Sequence, residues 1–176
     1  MNNYEENAYK VFGIFHNQWA AVTAGSPEHF NSCTVGWGSM GTLWSKPVIT
    51  VYLHPSRYTN DFMKDSGEFT VSFFPAEYKK ALGILGSRSG RDCDKTKASG
   101  LTPVKMGESI TYKEAELTFL CRKLYQHKMS KEDLAPDIQE LYRSKPQAFP
   151  VDENGEWQPH WTFVGEVIAV EDKRRP

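Results

Sequence analysis

Cysteine is scarce in this chain, with three in 176 residues, at Cys33, Cys93 and Cys121. An odd, widely spaced set excludes a disulfide framework, and neither a C-x-x-C pair nor a Cys/His spacing suited to zinc occurs. Such a content fits a reducing, cytoplasmic setting. Long apolar runs are also missing. No stretch approaches the ~20 apolar residues that cross a bilayer, so no membrane role is expected. The opening MNNYEENAYK is acidic and polar, unlike a secretion signal. An excess of one charge is missing too. Lys and Arg number 21 against 22 Asp and Glu, leaving a net charge of −1. That balance sets up no field to gather nucleic acid. The basic run Lys173-Arg174-Arg175 reads as a terminal tail. No Ser-His-Asp spacing, nucleophile elbow or internal repeat is present.

What remains is an ordinary globular composition, 39% hydrophobic and 24% charged. It is expected to form a single domain over residues 1–176, long enough to bury a core without staples. Aromatic residues reach 13%, a load that favours strands, interfaces or a stacking ligand.

Strand patterns run over Trp19 to Thr23, Pro47 to His54, Glu68 to Phe74, Ala115 to His127 and His160 to Val170. In the Ala115 segment, Leu117, Phe119 and Cys121 alternate with Thr118, Leu120 and Arg122, so one face is expected inside. Gly165 marks a bulge or a close approach in the last strand. Helical patterns cover Tyr58 to Ser66, with Thr59 as cap, Ala76 to Leu85, closed by Gly86, and Pro136 to Arg143. A short helical piece ends at Gly100, and Asp152 to Gly155 is a turn. Strands dominate without regular strand-helix-strand alternation. The expected fold is mainly β, an antiparallel barrel with short helical insertions.

The stretch TVGWGSMGTLW, Thr34 to Trp44, holds G-x-G-x-x-G at Gly36, Gly38 and Gly41. A dinucleotide turn needs a strand before those glycines and a helix after them. Here they run into Thr42 to Pro47 and then the strand VITVYL, so that reading fails. Glycines within a strand weaken it unless something approaches the backbone closely. A flat ligand would be such a reason; a bulge and tight turn would be another.

Two polar segments can meet a ligand. HPSRYT, His54 to Thr59, joins a strand end to a helix start and offers an arginine, hydroxyls and free N–H groups for a phosphate. Its plain alternative is a capped helix with a solvated Arg57. GSRSGRD, Gly86 to Asp92, can curl around an anion or be a surface loop. His160 stands just before the last strand. Cys33 and Cys121 fit buried small hydrophobes.

The order of these segments resembles the flavin reductase-like family. The likeness is carried by NSCTVGWG (Asn31 to Gly38), LWSKP, HPSRYT with EFTVSFF, ALGILGSRSGRDCDK with ASGLTP, and HWTFVGEVIAV. It spans about Trp19 to Val170, and the flavoredoxin branch is the most similar. The resemblance implies an antiparallel Greek-key split β-barrel that holds FMN, and a homodimer with the flavin near the interface. By position, Thr34, Val35, Gly36, Trp37 and Gly38 would meet the isoalloxazine and ribityl chain. Arg57, Tyr58 and Thr59 would hold the phosphate. Gly86, Ser87, Ser89 and Lys95 would close the site, and His160 would stand on the nicotinamide side. The implied activity is an oxidoreductase taking hydride from NADH or NADPH. Its alternative is a non-catalytic FMN electron carrier reduced by a partner protein; a split-barrel binder of haem is a third. Cys33 and Trp161 depart from the family's pattern, and Trp161 is expected to narrow the space beside His160. The segment Met129 to Pro159 is an insertion, expected to cover the flavin or extend the dimer contact.

Overall fold

The computed structural model describes residues 9–174. The acidic stretch 1–8 and the last basic residue, Arg175, lie outside the described residues. A helical turn α1 (Val11–Gly13) and a π turn (Ile14–Gln18) lead into strands β1 (Ala20–Ser26), β2 (His29–Val35), β3 (Gly38–Leu43) and β4 (Lys46–Leu53). Helix α2 (Thr59–Asp65) precedes β5 (Glu68–Phe73). After a 3-10 turn (Ala76–Tyr78) come α3 (Lys79–Ser87) and α4 (Lys95–Ser99). The hairpin β6 (Pro103–Met106) and β7 (Ser109–Tyr112), then β8 (Leu117–Lys128), α5 (Pro136–Ser144) and β9 (Trp161–Asp172), complete the order.

Seven strands form one antiparallel sheet in the order β2-β1-β5-β8-β9-β4-β3. The mainly β, antiparallel class read from the sequence holds. The sheet is not closed: no ladder joins its edge strands β2 and β3 among the described residues. The inner faces of its strands meet in one core, with Val22, Val51, Phe69, Phe73, Leu117 and Phe163 all at most 1% exposed. A second cluster, around Phe74, Leu82, Leu85 and Tyr112, seats α3 on the outer side of β1.

Several local expectations need correction. In β8 both faces are buried at first, Thr118 at 1% and Leu120 at 5% exposure. The β6–β7 hairpin, not foreseen, covers the second face. The Thr111 and Thr118 hydroxyls share a hydrogen bond there at 2.9 Å. Thr59 does not cap α2: Tyr58 is the cap residue, and the Thr59 hydroxyl accepts from Asn31 Nδ2 at 2.8 Å. Gly86 does not end α3, which continues through Ser87. Gly100 does end α4, in the left-handed region at φ 74°. Gly165 is a close approach: a Cβ there would lie 2.6 Å from Cys121 Cβ and from the Phe69 ring. No helix among the described residues is long and apolar enough to cross a membrane.

Candidate functional site

The site grows from the end of β2. Strand alternation turns Cys33 and Val35 into the core, at 2% and 6% exposure, and Thr34 outward to α3. There the Thr34 hydroxyl donates to the Leu82 carbonyl at 2.5 Å. Helix α3 comes this close because Gly86 has no side chain; a Cβ on it would lie 3.1 Å from Thr34 Cβ. Beyond Val35 the chain bends through Gly36 and Trp37 into β3. The Trp19 indole packs 3.4 Å from where a Gly36 Cβ would be. At Gly38 the Phe15 ring fills the side-chain space, so a packing contact, not a ligand, explains that glycine. After Gly41 the chain turns into β4, which agrees with the rejection of a dinucleotide turn.

The segment from His54 to Thr59 folds into a tight turn, with Arg57 N–H donating to the His54 carbonyl at 3.0 Å. That turn sends the Arg57 guanidinium to the Gly86 carbonyl. Lys95, the first residue of α4, is 6% exposed and donates to the Leu85 carbonyl at 3.1 Å. Two cations therefore converge on consecutive carbonyls at the end of α3. Cations suit a helix C-terminus. Yet neither Arg57 nor Lys95 forms an ion pair among the described residues. The nearby Asp94 carboxylate is used as the α4 cap, accepting from Lys97 N–H at 3.0 Å. Burial lowers the Lys95 pKa, the neighbouring Cys33 acts against that, and Arg57 reinforces it. A buried ammonium without a counter-ion is costly, and an anion at this point would relieve it.

Two cavities share a wall made by Thr34, Gly36 and Arg57. The larger, about 490 Å³, is completed by Trp19, Leu82, Gly86, Ser87 and Gln147. The smaller, about 140 Å³, is closed by Trp37, Tyr52, His54, Phe149 and His160. Gln147 and Phe149 belong to the insertion between β8 and β9. Its α5 buries Tyr142 to 3% exposure, and Tyr142 stacks on Trp157 with ring centroids 5.4 Å apart. The segment thus folds on itself and covers both cavities.

Of the residues read from the sequence, Thr34, Val35, Gly36, Trp37, Arg57, Gly86, Ser87 and His160 meet at these two cavities. Lys95 and Tyr58 line a different cavity, of about 440 Å³, with Asn31, Leu85 and Gly90. Gly38, Tyr58, Thr59 and Ser89 line neither cavity. Tyr58 packs edge-on against Phe62 at 5.0 Å with Arg91 over its ring at 4.3 Å. Ser89 caps its own loop, its hydroxyl accepting from Arg91 N–H at 3.2 Å. Trp161 does not narrow the space beside His160. It leaves on the other side, stacked 6.2 Å from Phe163 with Lys64 above it at 4.7 Å.

Sequence reading missed His54, Gln147, Phe149 and Tyr142. His54 carried a local signal, since it ends the strongest strand and opens HPSRYT. The insertion residues carried none, because only the β8–β9 pairing brings them across. Both histidines are held neutral. Burial chiefly lowers His54 to about 4, with Arg57 and Lys128 adding to it and the Gln158 carbonyl opposing. Burial, then His54 and Arg57, lower His160 to about 3.

A family model described as a flavin reductase like domain matches residues 12–176. No curated protein matches the sequence. Among solved structures, the chain is similar to an FMN-binding protein from Thermus thermophilus, solved with 1-cyclohex-2-enone bound. That pair shares 22% identity and a TM-score of 0.67, over 97% of this chain and 80% of the other. A flavoredoxin from Methanosarcina acetivorans shares 21% identity over 95% of this chain and 74% of its own, with a TM-score of 0.66. An NADH:FAD oxidoreductase from Streptomyces globisporus shares 16% identity over 90% and 76%, with a TM-score of 0.65. At such identities the likeness establishes the fold.

Proposed function

The chain belongs to the flavin reductase like family, and from that premise we propose that it binds FMN and works as an NAD(P)H-dependent flavin reductase. One observation carries this reading: two cations without carboxylate partners, Arg57 and Lys95, converge on the consecutive carbonyls of Gly86 and Leu85, and Arg57 lines a cavity of about 490 Å³. Mononucleotide-sized ligands occupy cavities of roughly this size. A phosphate at the end of α3 would accept from the Arg57 guanidinium and from the Lys95 ammonium. Gly86 and Ser87 would stand beside it, and the Thr34 to Gly36 backbone would border the ring system. Bound FMN supplies hydride acceptance and electron storage; the protein supplies position and electrostatics. That division explains why no acid–base constellation is needed. The covering insertion, with Gln147 and Phe149, would keep water from the cavities.

The reductase reading is favoured over the carrier by the second, smaller cavity. Its volume suits one planar ring, and Trp161, once expected to obstruct it, is not among its walls. In this reading the ring of the reductant enters beside His160. A homodimer is part of the proposal, supported by the exposed Leu43 and Trp44 at the β3–β4 turn and by Phe12, 95% exposed. A cytoplasmic location and a protein as final electron acceptor belong to it as well.

The test is anaerobic. FMN-loaded protein is mixed with NADH and, separately, with NADPH while the flavin's visible absorbance is followed. Bleaching by either nucleotide is expected and identifies the donor. Absorbance that persists with both nucleotides, yet bleaches with dithionite, would make the protein a carrier.

A further inference from the structure

Trp19 enters β1 against the steric preference of its own backbone. It stands between the π turn (Ile14–Gln18) and Ala20 with φ 67° and ψ 159°. Glycine enters that region freely, whereas a Cβ there crowds the adjoining peptide groups. Such a conformation persists only where the surroundings over-determine the chain. Here they do. Gln18 Nε2 donates to the Phe74 carbonyl at 2.7 Å and to Glu116 Oε1 at 2.5 Å. The Gln18 carbonyl accepts from Lys79 Nζ at 3.2 Å, and the Asn17 carbonyl accepts from the same ammonium. On the other side, Ala20 is held opposite Val35 in the β1–β2 ladder. The chain is fixed before and after Trp19, so the residue cannot relax to an ordinary strand conformation.

The position of the indole gives that strain a use. The ring is half-buried and packs against the cluster around Phe74, Leu82 and Leu85. Lys79 Nζ lies 3.4 Å from its centroid and fixes its tilt. The indole also lines the larger cavity, beside Thr34, Gly36, Arg57 and Gly86. Its pyrrole atoms face Gly36, with Cδ1 at 3.4 Å and Nε1 at 3.7 Å from where a Cβ would be. An indole N–H is a donor and nothing else. At Trp19 it makes no hydrogen bond among the described residues. Core packing accounts for the buried part of the ring but not for an open donor at the cavity wall.

We propose that Trp19 is a cofactor-contacting residue: its Nε1–H donates to a carbonyl oxygen of the flavin ring, and its strained backbone holds that donor beside the Thr34 to Gly36 wall. The inference deepens the proposed function and rests on it for the identity of the ligand. A donor that cannot swing away is ordered before the ligand arrives, so binding does not have to immobilise it. At position 19 the backbone favours glycine and the ligand favours tryptophan.

Trp19→Phe, Trp19→Ala and Trp19→Gly are checked for folding by circular dichroism. FMN, and riboflavin, which has no phosphate, are titrated into each by quenching of flavin fluorescence. Trp19→Phe keeps a ring under Lys79 but has no N–H. It is expected to bind both ligands about fivefold to tenfold more weakly, the effect of one net hydrogen bond. In indole N–H NMR of the parent, the signal that Trp19→Phe removes is expected to shift downfield when FMN is added. Without ligand, Trp19→Gly is expected to unfold at a higher urea midpoint than Trp19→Ala, since both lack the ring and glycine alone fits the backbone. A Trp19→Phe variant that binds as tightly as the parent would overturn the contact, as would an effect on FMN that vanishes with riboflavin. A glycine variant no more stable than the alanine variant would overturn the strain. If the parent binds neither ligand, the flavin reading falls and takes the contact with it, while the glycine–alanine order still reports the strain. If the parent binds both and Trp19→Phe matches it, the contact alone falls.

Discussion

Lys95 and His160 show how burial turns ordinary side chains into chemical tools. Lys95 keeps its ammonium against a single carbonyl, and His160 gives up its charge altogether. The histidine case has a consequence for stability. An open imidazole titrates near 6.5, whereas His54 and His160 do so at about 4 and about 3 in the fold. Between those values the unfolded chain binds more protons than the folded one. Stability is therefore full above pH 6.5 and is lost as pH falls towards 4 and 3, by up to ~1.4 kcal/mol per pH unit per ring. Carboxylates whose pKa the fold lowers from 4.5, such as Glu114 and Glu166, contribute their loss mainly below that value. The interval from 6.5 to 5 thus isolates the imidazoles. Thermal unfolding should show a falling midpoint across it, and His160→Gln should flatten the slope by about half. A midpoint independent of pH there would rule out the buried neutral pair. At this scale the sequence showed which residue types could meet an anion. It did not separate Arg57, which reaches both cavities, from Thr59, whose hydroxyl is taken by Asn31 of β2.

Elements were read best where their pattern is local. The dense β-branched run at β4, the alternation in β5 and the glycine ending α4 all express short-range sterics. The β6–β7 hairpin escaped because its strands are four residues each, and β7 is buried on account of what it covers. The apparent one-sidedness of β8 failed for the same reason. Gly165 lies between these cases: its presence in a strand pattern signalled close approach, and the partners proved to be Cys121 and Phe69. Neither can retreat, since both are at most 1% exposed in the core. Gly165→Ala is expected to cost roughly 1–3 kcal/mol, the usual price of overpacking. Urea unfolding would read that as a lower midpoint at unchanged slope. A midpoint equal to that of the parent would mean that β9 can shift away from β5 at little cost.

For the molecule as a whole, the family likeness was readable because segment order survives when single motifs are soft. The insertion was not, since Tyr142, Gln147 and Phe149 gain meaning only when β8 and β9 pair and lay that segment over the ends of β2 and β4. The central claim is that the Arg57–Lys95 corner and the cavity beside it hold FMN. The direct measurement is an equilibrium titration of FMN, by quenching of its fluorescence, into the protein and into Arg57→Ala and Lys95→Met. One FMN per chain is predicted for the parent. Each substitution should weaken binding about tenfold to a hundredfold, the equivalent of a charged hydrogen bond of ~1.5–3 kcal/mol. A parent protein that leaves FMN fluorescence unchanged, or one whose affinity survives both substitutions, would contradict the account.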